Sequence, residues 1–294
     1  MYEGINFRSS FSLSRLLRTT GYFHLNYMVK KSLLFLLFSF SFIPLCAQDV
    51  DSVRMQVNYI ATFRNYVKKP NVYTEEKVLE IGDHRTAFYG RWQRAREELA
   101  ETAMRTQMSR DQFMSELGKY PTPRQLYSIF ENYPSQGVRT VTDKILKTFV
   151  YKEPISALKW TMEQRDTTIL DIPCQFAKVE MGGRVWTACF APSIPSQAGP
   201  WKLHGLPGLI LYARDNSGIF SFEAIEIKKG NSLMKRPRDK KAIATTREEF
   251  HQLMIEDAAN PQEFNKRFGI IDRAWGPDGK PLVYKKKTCI FMEE

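Results

Sequence analysis

The strongest constraint on the fold is a series of alternating apolar and polar residues, broken by glycine turns, between residues 138 and 229. The segments "CQFAKVEM" and "RVWTACFA" flank Gly182-Gly183, which is typical of a two-residue β-hairpin turn. Asp215 to Gly218 separates "LILYARD" from "IFSFEAIEIKK" in the same way. Because consecutive strands joined by short turns form an antiparallel meander, the sequence predicts a mainly β (α+β) protein. We expect its antiparallel sheet to be curved or barrel-like.

The hairpin also fixes where two of the cysteines lie. A two-residue turn pairs Phe176 with Cys189 and leaves Cys174 opposite Ala191. Diagonal neighbours of this kind have Cα atoms about 7–8 Å apart, beyond the usual disulfide limit of about 6.8 Å. We therefore expect buried free thiols. A register shift would permit a bridge, so a disulfide among these two and Cys289 stays open.

Elsewhere the apolar spacing changes between strand and helix. Val53 to Phe63 alternates like a half-buried strand. Between Arg91 and Met108 the apolar residues recur three or four positions apart and predict a helix on which the sheet packs (Trp92, Ala95, Leu99, Ala103). Ser109 and Gln112 form a capping-box pattern for a second helix that Gly118 can end.

Two regions remain, the connection after the second helix and the C-terminal tail. The segment from the second helix to about Gly137 contains three prolines and is interpreted as an irregular connection. In the tail, Thr245 and Glu248 form a capping box, and Asn260-Pro261 starts another short helix. A last strand, "PLVYKKKTCIFM", is predicted after Asp278-Gly279.

A secretory signal peptide is predicted at residues 28–47. Two lysines precede an apolar run from Leu33 to Leu45, which is shorter than the about 20 apolar residues that a bilayer span needs. Small residues follow and predict cleavage after Ala47. Residues 1–27 precede this complete signal and are interpreted as an upstream extension, with an extended n-region as the alternative.

Cleavage leaves residues 48–294, which we expect to form one β-rich domain without a transmembrane segment. Within it, 91–118 is a predicted helical insertion and 231–294 a divergent tail. A lipid anchor through Cys46 is an alternative, but large residues precede it. Loss of five basic residues and one acidic residue lowers the net charge from +11 to +7. The basic residues of 228–241 suggest a solvated loop or a peripheral membrane contact, and we predict no nucleic-acid partner.

A buried turn is predicted in the segment "GLPGLI". Pro207 fixes its own φ and favours an extended Leu206. Gly208 suits the positive φ of a type II turn from Leu206 to Leu209. Gly205 and Gly208 also allow close backbone approach. Because no helix begins after the segment, a phosphate-binding role for its glycines is disfavoured.

This segment and its surroundings resemble the GLPGLI family of exported bacterial proteins. The resemblance spans roughly Thr168 to Ile227, and one departure is Cys189, where the family pattern has Trp. It implies secretion in a Gram-negative cell, a β-rich fold and no established activity. The residues that carry it are Cys174, Ala177, Gly183, Arg184, Ala188, Ile194, Pro195, Gly199, Pro200 and Lys202, followed by the motif Gly205, Leu206, Pro207, Gly208, Leu209 and Ile210.

Few residues suggest a chemical site. The chain lacks the common hydrolase, metalloprotease and nucleotide-binding motifs, and its four histidines are scattered, so we predict no metal and no cofactor. Cys189 and His204 are the best candidates for a nucleophile and its base, although a packed cysteine is the favoured interpretation of Cys189. Arg184, Lys202 and His204 are candidates for binding an anionic group.

Three classes of function follow from these features. The first is an exported binding or interaction protein of the periplasm or outer membrane, holding an apolar ligand or an envelope partner. The second is a hydrolase with an unrecognised site near Arg184, Cys189 and His204. The third is a structural envelope component without a ligand. The ligand, the partner, the oligomeric state and the true start codon are not evident in the sequence.

Overall fold

The computed structural model describes residues 51–67, 71–237, 241–270 and 286–293. These belong to a compact unit, Val50–Glu294. The predicted upstream extension, signal peptide, cleavage site and anchor cysteine lie outside the described residues, as do residues 281–285 at the start of the predicted last strand. Among the described residues, no helix has the length and apolar character needed to cross a membrane.

In the described part of the chain, twelve strands form one mixed sheet that is not closed, which confirms the mainly β prediction. Its spatial order is β12-β6-β5-β4-β3-β2-β1-β11-β10-β9-β8-β7. The strands are β1 (Val53–Phe63), β2 (Tyr73–Gly82), β3 (Thr86–Gly90), β4 (Ser128–Glu131), β5 (Val138–Lys144), β6 (Thr148–Pro154), β7 (Thr161–Ile169), β8 (Ile172–Met181), β9 (Arg184–Ala191), β10 (Leu209–Asp215), β11 (Ser221–Lys229) and β12 (Ile243–Ala244).

Two antiparallel meanders make up this sheet. Strands β1 to β6 follow one another in space, as do β7 to β11, and β1 pairs with β11 to join the two. The short β12 pairs with β6 in parallel. Between β8 and β9, Gly182 (φ 58°) and Gly183 (φ 70°) form the predicted turn. Phe176 pairs with Cys189, so the predicted hairpin register is confirmed.

Three predicted boundaries differ from the structure. The connection before Gly137 was expected to be irregular, but it contains β4, whose four residues are too few to show a clear alternation. The strand pattern beginning at Val138 is split into β5 and β6 by a turn at 145–147. In the tail the capping box is formed by Thr246 and Glu249, one residue later than predicted, since the Thr246 hydroxyl accepts from the Glu249 N–H.

Four helices accompany the sheet in the described residues. They are α1 (Arg91–Thr106), α2 (Arg110–Gly118), α3 (Arg247–Ala259) and α4 (Pro261–Arg267). The capping box of α2 and the Asn260 cap of α4 are as predicted. Helix α1 touches β2 and β3, but only Gln93 and Arg94 are buried on it. The sheet therefore contacts this helix as expected, through β2 and β3, but the contact buries little apolar surface.

The main core lies instead among the strands and the segment before β10. The Tyr59 hydroxyl donates to the Ile210 carbonyl at 2.7 Å and joins β1 to β10. Phe222 packs edge-on against Phe88, with ring centroids 5.8 Å apart, and stacks on Trp186. Burial of each such aromatic side chain contributes about 1.5–3 kcal/mol to folding. The core therefore depends on contacts between strands far apart in sequence.

The turn in "GLPGLI" is only partly buried, since Leu206 and Gly208 are buried but Pro207 at its centre is exposed, and its form differs from the predicted one. The Gly208 N–H donates to the Leu206 carbonyl at 2.8 Å, so three residues around Pro207 form the turn. The Leu209 N–H donates to Ile194 instead of completing a type II turn. A Cβ at Gly208 would overlap the Ala191 carbonyl. Gly208 is thus required for the close backbone approach that the sequence suggested.

Candidate functional site

A cavity of about 280 Å³ lies between β5 and β6, helix α3 and the C-terminal segment 286–293. Val141 and Asp143 of β5 point into it from one face of that strand, because side chains two residues apart in a strand share a face. Tyr151 of β6 and Phe250 of α3 both line it and pack against each other, with ring centroids 6.3 Å apart. Sheet, helix and tail therefore all contribute walls.

Aromatic side chains form much of this cavity wall. Such a lining favours the apolar body of a small ligand, and aromatic faces also attract cations. The rings come from the sheet, from α3, from the loops beside them and from the tail, and they belong to Tyr66, Tyr127, Tyr151, Trp201, Phe220, Phe250 and Phe291.

The Tyr127 hydroxyl is a polar group in this wall without a partner. The residue is only 6 % exposed, and no described group forms a hydrogen bond with its buried hydroxyl. Burial raises the pKa of this hydroxyl well above its usual value. A buried hydroxyl without a hydrogen bond costs about 1–3 kcal/mol. A bound molecule that satisfied it would recover this energy.

Lys77 lies on the other side of the Tyr127 ring. Its ammonium is fully buried and sits 4.7 Å from the ring centroid, a cation–π arrangement. It donates to the Glu75 carboxylate at 3.2 Å and to the Gln125 carbonyl at 3.3 Å. Burial lowers the pKa of Lys77, while the neighbouring Glu75 opposes that shift.

Three carboxyl groups line the cavity. Glu293 of the C-terminal segment pairs with Lys202, whereas Asp143 on β5 and Asp257 on α3 have no such ion pair in the described residues. Burial raises the pKa of Asp143 to about 7, although the Lys144 N–H, which donates at 2.7 Å, and the more distant Lys77 both lower it. Burial also raises the pKa of Asp257. Carboxyls with raised pKa values in a concave site are typical of functional sites.

The C-terminal segment closes the cavity as an extended strand-like piece. Cys289 forms an isolated antiparallel bridge with Tyr66. The Ile290 N–H donates to Asn65 at 3.0 Å, and the Val67 N–H donates to Thr288 at 3.1 Å. In the described residues 286–293, the predicted last strand is represented by this isolated bridge at Cys289.

Two predicted anion-binding residues hold this segment in place. The Arg184 guanidinium donates two hydrogen bonds to the Phe291 carbonyl, at 2.9 and 2.7 Å, and one to Asp215 at 2.9 Å. The Lys202 ammonium lies 2.7 Å from the Glu293 carboxylate and 2.9 Å from that of Glu153. The positive charges of Arg184 and Lys202 are therefore directed at groups of the same chain.

His204, the third of these residues, lies beside Lys202 but contacts different groups. Its Nδ1 is 2.9 Å from the Lys202 carbonyl oxygen and 3.3 Å from Nη2 of Arg139. The His204 carbonyl accepts a hydrogen bond from the Trp160 indole at 2.8 Å. Arg139 pairs in turn with the Glu131 carboxylate at 2.6 Å. His204 thus belongs to a polar network with Arg139, Glu131 and the Lys202 carbonyl.

The cysteines occupy packed positions. Cys189 is 1 % exposed, and burial raises the pKa of its thiol to about 12. Among the described residues, no hydrogen bond joins it to His204. Cys174 is also buried and Cys289 is half-buried. All three cysteines are free, as we expected for Cys174 and Cys189. A thiol so reluctant to ionise is a poor nucleophile.

Sequence reasoning missed the residues that give this cavity its chemistry. Asp143 shares one face of β5 with Arg139 and Val141, so the pattern of that strand gave no signal for a buried carboxyl. Tyr127 had no signal either, because its ring packs against Lys77 and Phe88, which are distant in the chain. In the described residues, no cluster of three His, Cys, Asp or Glu side chains suits a metal ion.

Comparisons with known proteins show little. No protein-family model matches the chain, and no curated protein matches it. The protein PNGF-II, in two crystal forms, is similar with 10% identity and a TM-score of 0.45 over 68% of this chain. The chain spans about a third of that protein, 33% in one form and 32% in the other.

A DUF1329 family protein from Desulfovibrio piger is also similar, with 10% identity and a TM-score of 0.19. The match covers 64% of this chain and 87% of that protein. Similarities this low carry no functional conclusion. The resemblance to the GLPGLI family is not confirmed.

Proposed function

We propose that this protein is an exported binding protein that holds a small ligand in the cavity beneath α3 and the C-terminal segment. The observation that carries the proposal is the aromatic-lined cavity of about 280 Å³ with the unpartnered hydroxyl of Tyr127 in its wall. Small-molecule sites are concave and mostly apolar, with a few placed polar groups. Tyr127 and Asp143 supply such groups here.

The size of the cavity limits the ligand. An apolar cavity of about 150 Å³ accepts one benzene molecule. At about 280 Å³, this cavity has room for one ring with a short side chain. The ligand class we propose is therefore a single-ring or equally compact aliphatic molecule.

Export is proposed from the leader and from the family resemblance. A signal peptide at 28–47 would direct the chain out of the cytoplasm, and the resemblance to exported GLPGLI proteins agrees with a periplasmic or outer-membrane location. The basic loop 228–241 is proposed as a peripheral membrane contact. Within it, Lys235 already pairs with Glu98 of α1, and Lys228 lies 3.0 Å from Glu226, so fewer of its charges are free than the sequence suggests.

The alternative of a hydrolase near Arg184, Cys189 and His204 gains no support from these contacts. Cys189 is buried on β9 and burial raises the pKa of its thiol. Arg184 donates hydrogen bonds to Asp215 and to the Phe291 carbonyl of the tail. A structural envelope role without a ligand is the competing proposal, and it predicts that the cavity stays empty in solution.

Native mass spectrometry of residues 48–294, exported to a periplasm and purified without detergent, tests the proposal. We expect a reproducible added mass of small-ligand size that is lost on denaturation. Val141→Phe is the control, because it places a ring inside the cavity, and it should carry no added mass. If the wild-type chain has only its sequence mass and binds no single-ring compound added to it, the proposal is wrong.

A further inference from the structure

The cationic and acidic groups that line the cavity differ in how they are paired. On the positive side, the Lys202 ammonium is paired with two carboxylates, those of Glu153 and Glu293. The Arg124 guanidinium lies 4.7 Å from the centroid of the Tyr73 ring. Lys144 is exposed. Each cationic group of this wall thus has an internal partner or faces solvent.

Two of the acidic groups in the described part of the cavity wall have no ion pair, unlike the cationic Lys202. In the part of the chain that the structure describes, neither Asp143 nor Asp257 has a cationic group within ion-pair distance. The nearest positive charges act on them only at longer range, Lys77 on Asp143 and Lys287 on Asp257. Both carboxyls line the cavity. A cation placed beside either ionised carboxyl would be attracted to it.

The aromatic wall has the same preference. The faces of Tyr and Trp rings attract an ammonium group within about 6 Å. Tyr127, Tyr151 and Trp201 line the same cavity as the two carboxyls. Two of these rings already attract ammonium groups of the protein, since Lys77 lies 4.7 Å from the Tyr127 centroid and Lys202 lies 5.5 Å from the Tyr151 centroid. The Tyr127 hydroxyl has an oxygen that can accept a hydrogen bond, and no described group provides one.

From this arrangement we infer that the cavity binds an organic cation, a primary amine on a compact aromatic or aliphatic body. The ammonium donates to the Asp143 carboxylate and to the Tyr127 hydroxyl oxygen, and the body of the ligand packs against Tyr151 and Phe250. This inference rests on the proposed function, since it names the ligand class of the same cavity. It also explains why buried carboxyls are placed where the protein supplies no counter-ion.

Three probes of equal size test the inference by isothermal titration calorimetry at pH 8. They are 2-phenylethylamine, 2-phenylethanol and phenylacetate, which carry positive, zero and negative charge. We expect the amine to bind about tenfold more tightly than the alcohol, which is the size of a desolvated cation–π and ion-pair contribution. Phenylacetate should bind most weakly.

Variants assign the preference to the cavity. Asp143→Asn should reduce the preference for the amine over the alcohol from about tenfold to at most about threefold. Tyr127→Phe should reduce this preference by a smaller factor, because the ring face remains. The exposed Asp166→Asn is the matched control and should leave the ratio unchanged. Asp257→Asn gives a second test if Asp143→Asn fails to fold.

The outcomes separate the two proposals. Equal binding of amine and alcohol, or tightest binding of phenylacetate, would overturn the cation inference while leaving a ligand-binding cavity. An amine preference that survives both Asp143→Asn and Asp257→Asn would also overturn it. Binding of none of the three probes, with no added mass in native mass spectrometry, would remove the proposed function itself.

Discussion

The ammonium of Lys202 lies 2.7 Å from the carboxylate of Glu293, 91 residues further along the chain, and only 2 % of the Lys202 side chain is exposed. The pair connects the segment preceding "GLPGLI" to the C-terminal segment. Since Glu293 also lines the cavity, the same contact positions one of its walls. A residue that we expected to bind an external anion therefore binds the protein's own tail.

Removing either partner of this pair should have unequal effects. Lys202→Met leaves the carboxylates of Glu153 and Glu293 without their shared cation, and we expect a loss of about 3–5 kcal/mol in the free energy of unfolding. Glu293→Gln should cost less, because Glu153 stays 2.9 Å from the ammonium. Urea unfolding of both variants and of the double variant measures the difference. Equal losses below about 0.5 kcal/mol would show that the pair does not stabilise the tail.

Asp143 should make stability depend on pH. Its pKa is about 7 in the folded protein against 3.8 ordinarily, so the folded state holds a proton between these values. The contribution of Asp143 to the free energy of unfolding is fully present below about pH 4 and is lost as the pH rises through about 7. Asp143→Asn, which stays neutral, should become relatively more stable by about 1–3 kcal/mol between pH 4 and pH 8.

Urea midpoints at pH 4, 6 and 8 check this prediction, with the exposed Asp166→Asn as the control. A stability difference between wild type and Asp143→Asn that does not change with pH would contradict it.

Gly208 should tolerate no side chain. A Cβ there would overlap the Ala191 carbonyl, and the strain should cost about 1–3 kcal/mol. Gly118→Ala is a matched control, since that position at the end of α2 has open space around it. That change should be neutral or stabilising by about 0.4–1 kcal/mol. Thermal unfolding of both variants measures the difference. Similar melting temperatures would show that Gly208 is not required for the close approach to the Ala191 backbone.

Cys189 should be chemically inert in the native protein. Its thiol is buried and has a pKa of about 12, so little thiolate exists at neutral pH. Mass spectrometry after brief iodoacetamide treatment should find Cys189 unmodified until denaturant is added. The half-buried Cys289 serves as the internal comparison. Rapid native labelling of Cys189 would reopen the hydrolase alternative.

The sequence predicted those parts of the fold that local pattern controls. The Gly182-Gly183 turn and the Phe176–Cys189 register follow from residues next to one another, as does the capping box at Ser109. Strand β4 was missed because four residues carry no clear period. The pairing of β1 with β11 could not be predicted, since it joins segments more than 150 residues apart.

The candidate site was harder to predict for the same reason. Arg184 and Lys202 were identified as charged residues near the motif, but their partners at Phe291 and Glu293 belong to a tail with no recognisable pattern. Tyr127 and Asp143 meet only where β5 and the chain before β4 are brought together by the sheet. Side chains from distant segments converge through tertiary packing, which spacing in one sequence does not reveal.

Crystallography of residues 48–294 grown with 2-phenylethylamine is the measurement that bears most closely on the ligand cavity. We expect density for one molecule in the cavity, with its body beside Tyr151 and Phe250 and its nitrogen within about 3.2 Å of the Asp143 carboxylate and the Tyr127 hydroxyl. An empty cavity in crystals of a protein that still binds the amine in solution would contradict the proposed site.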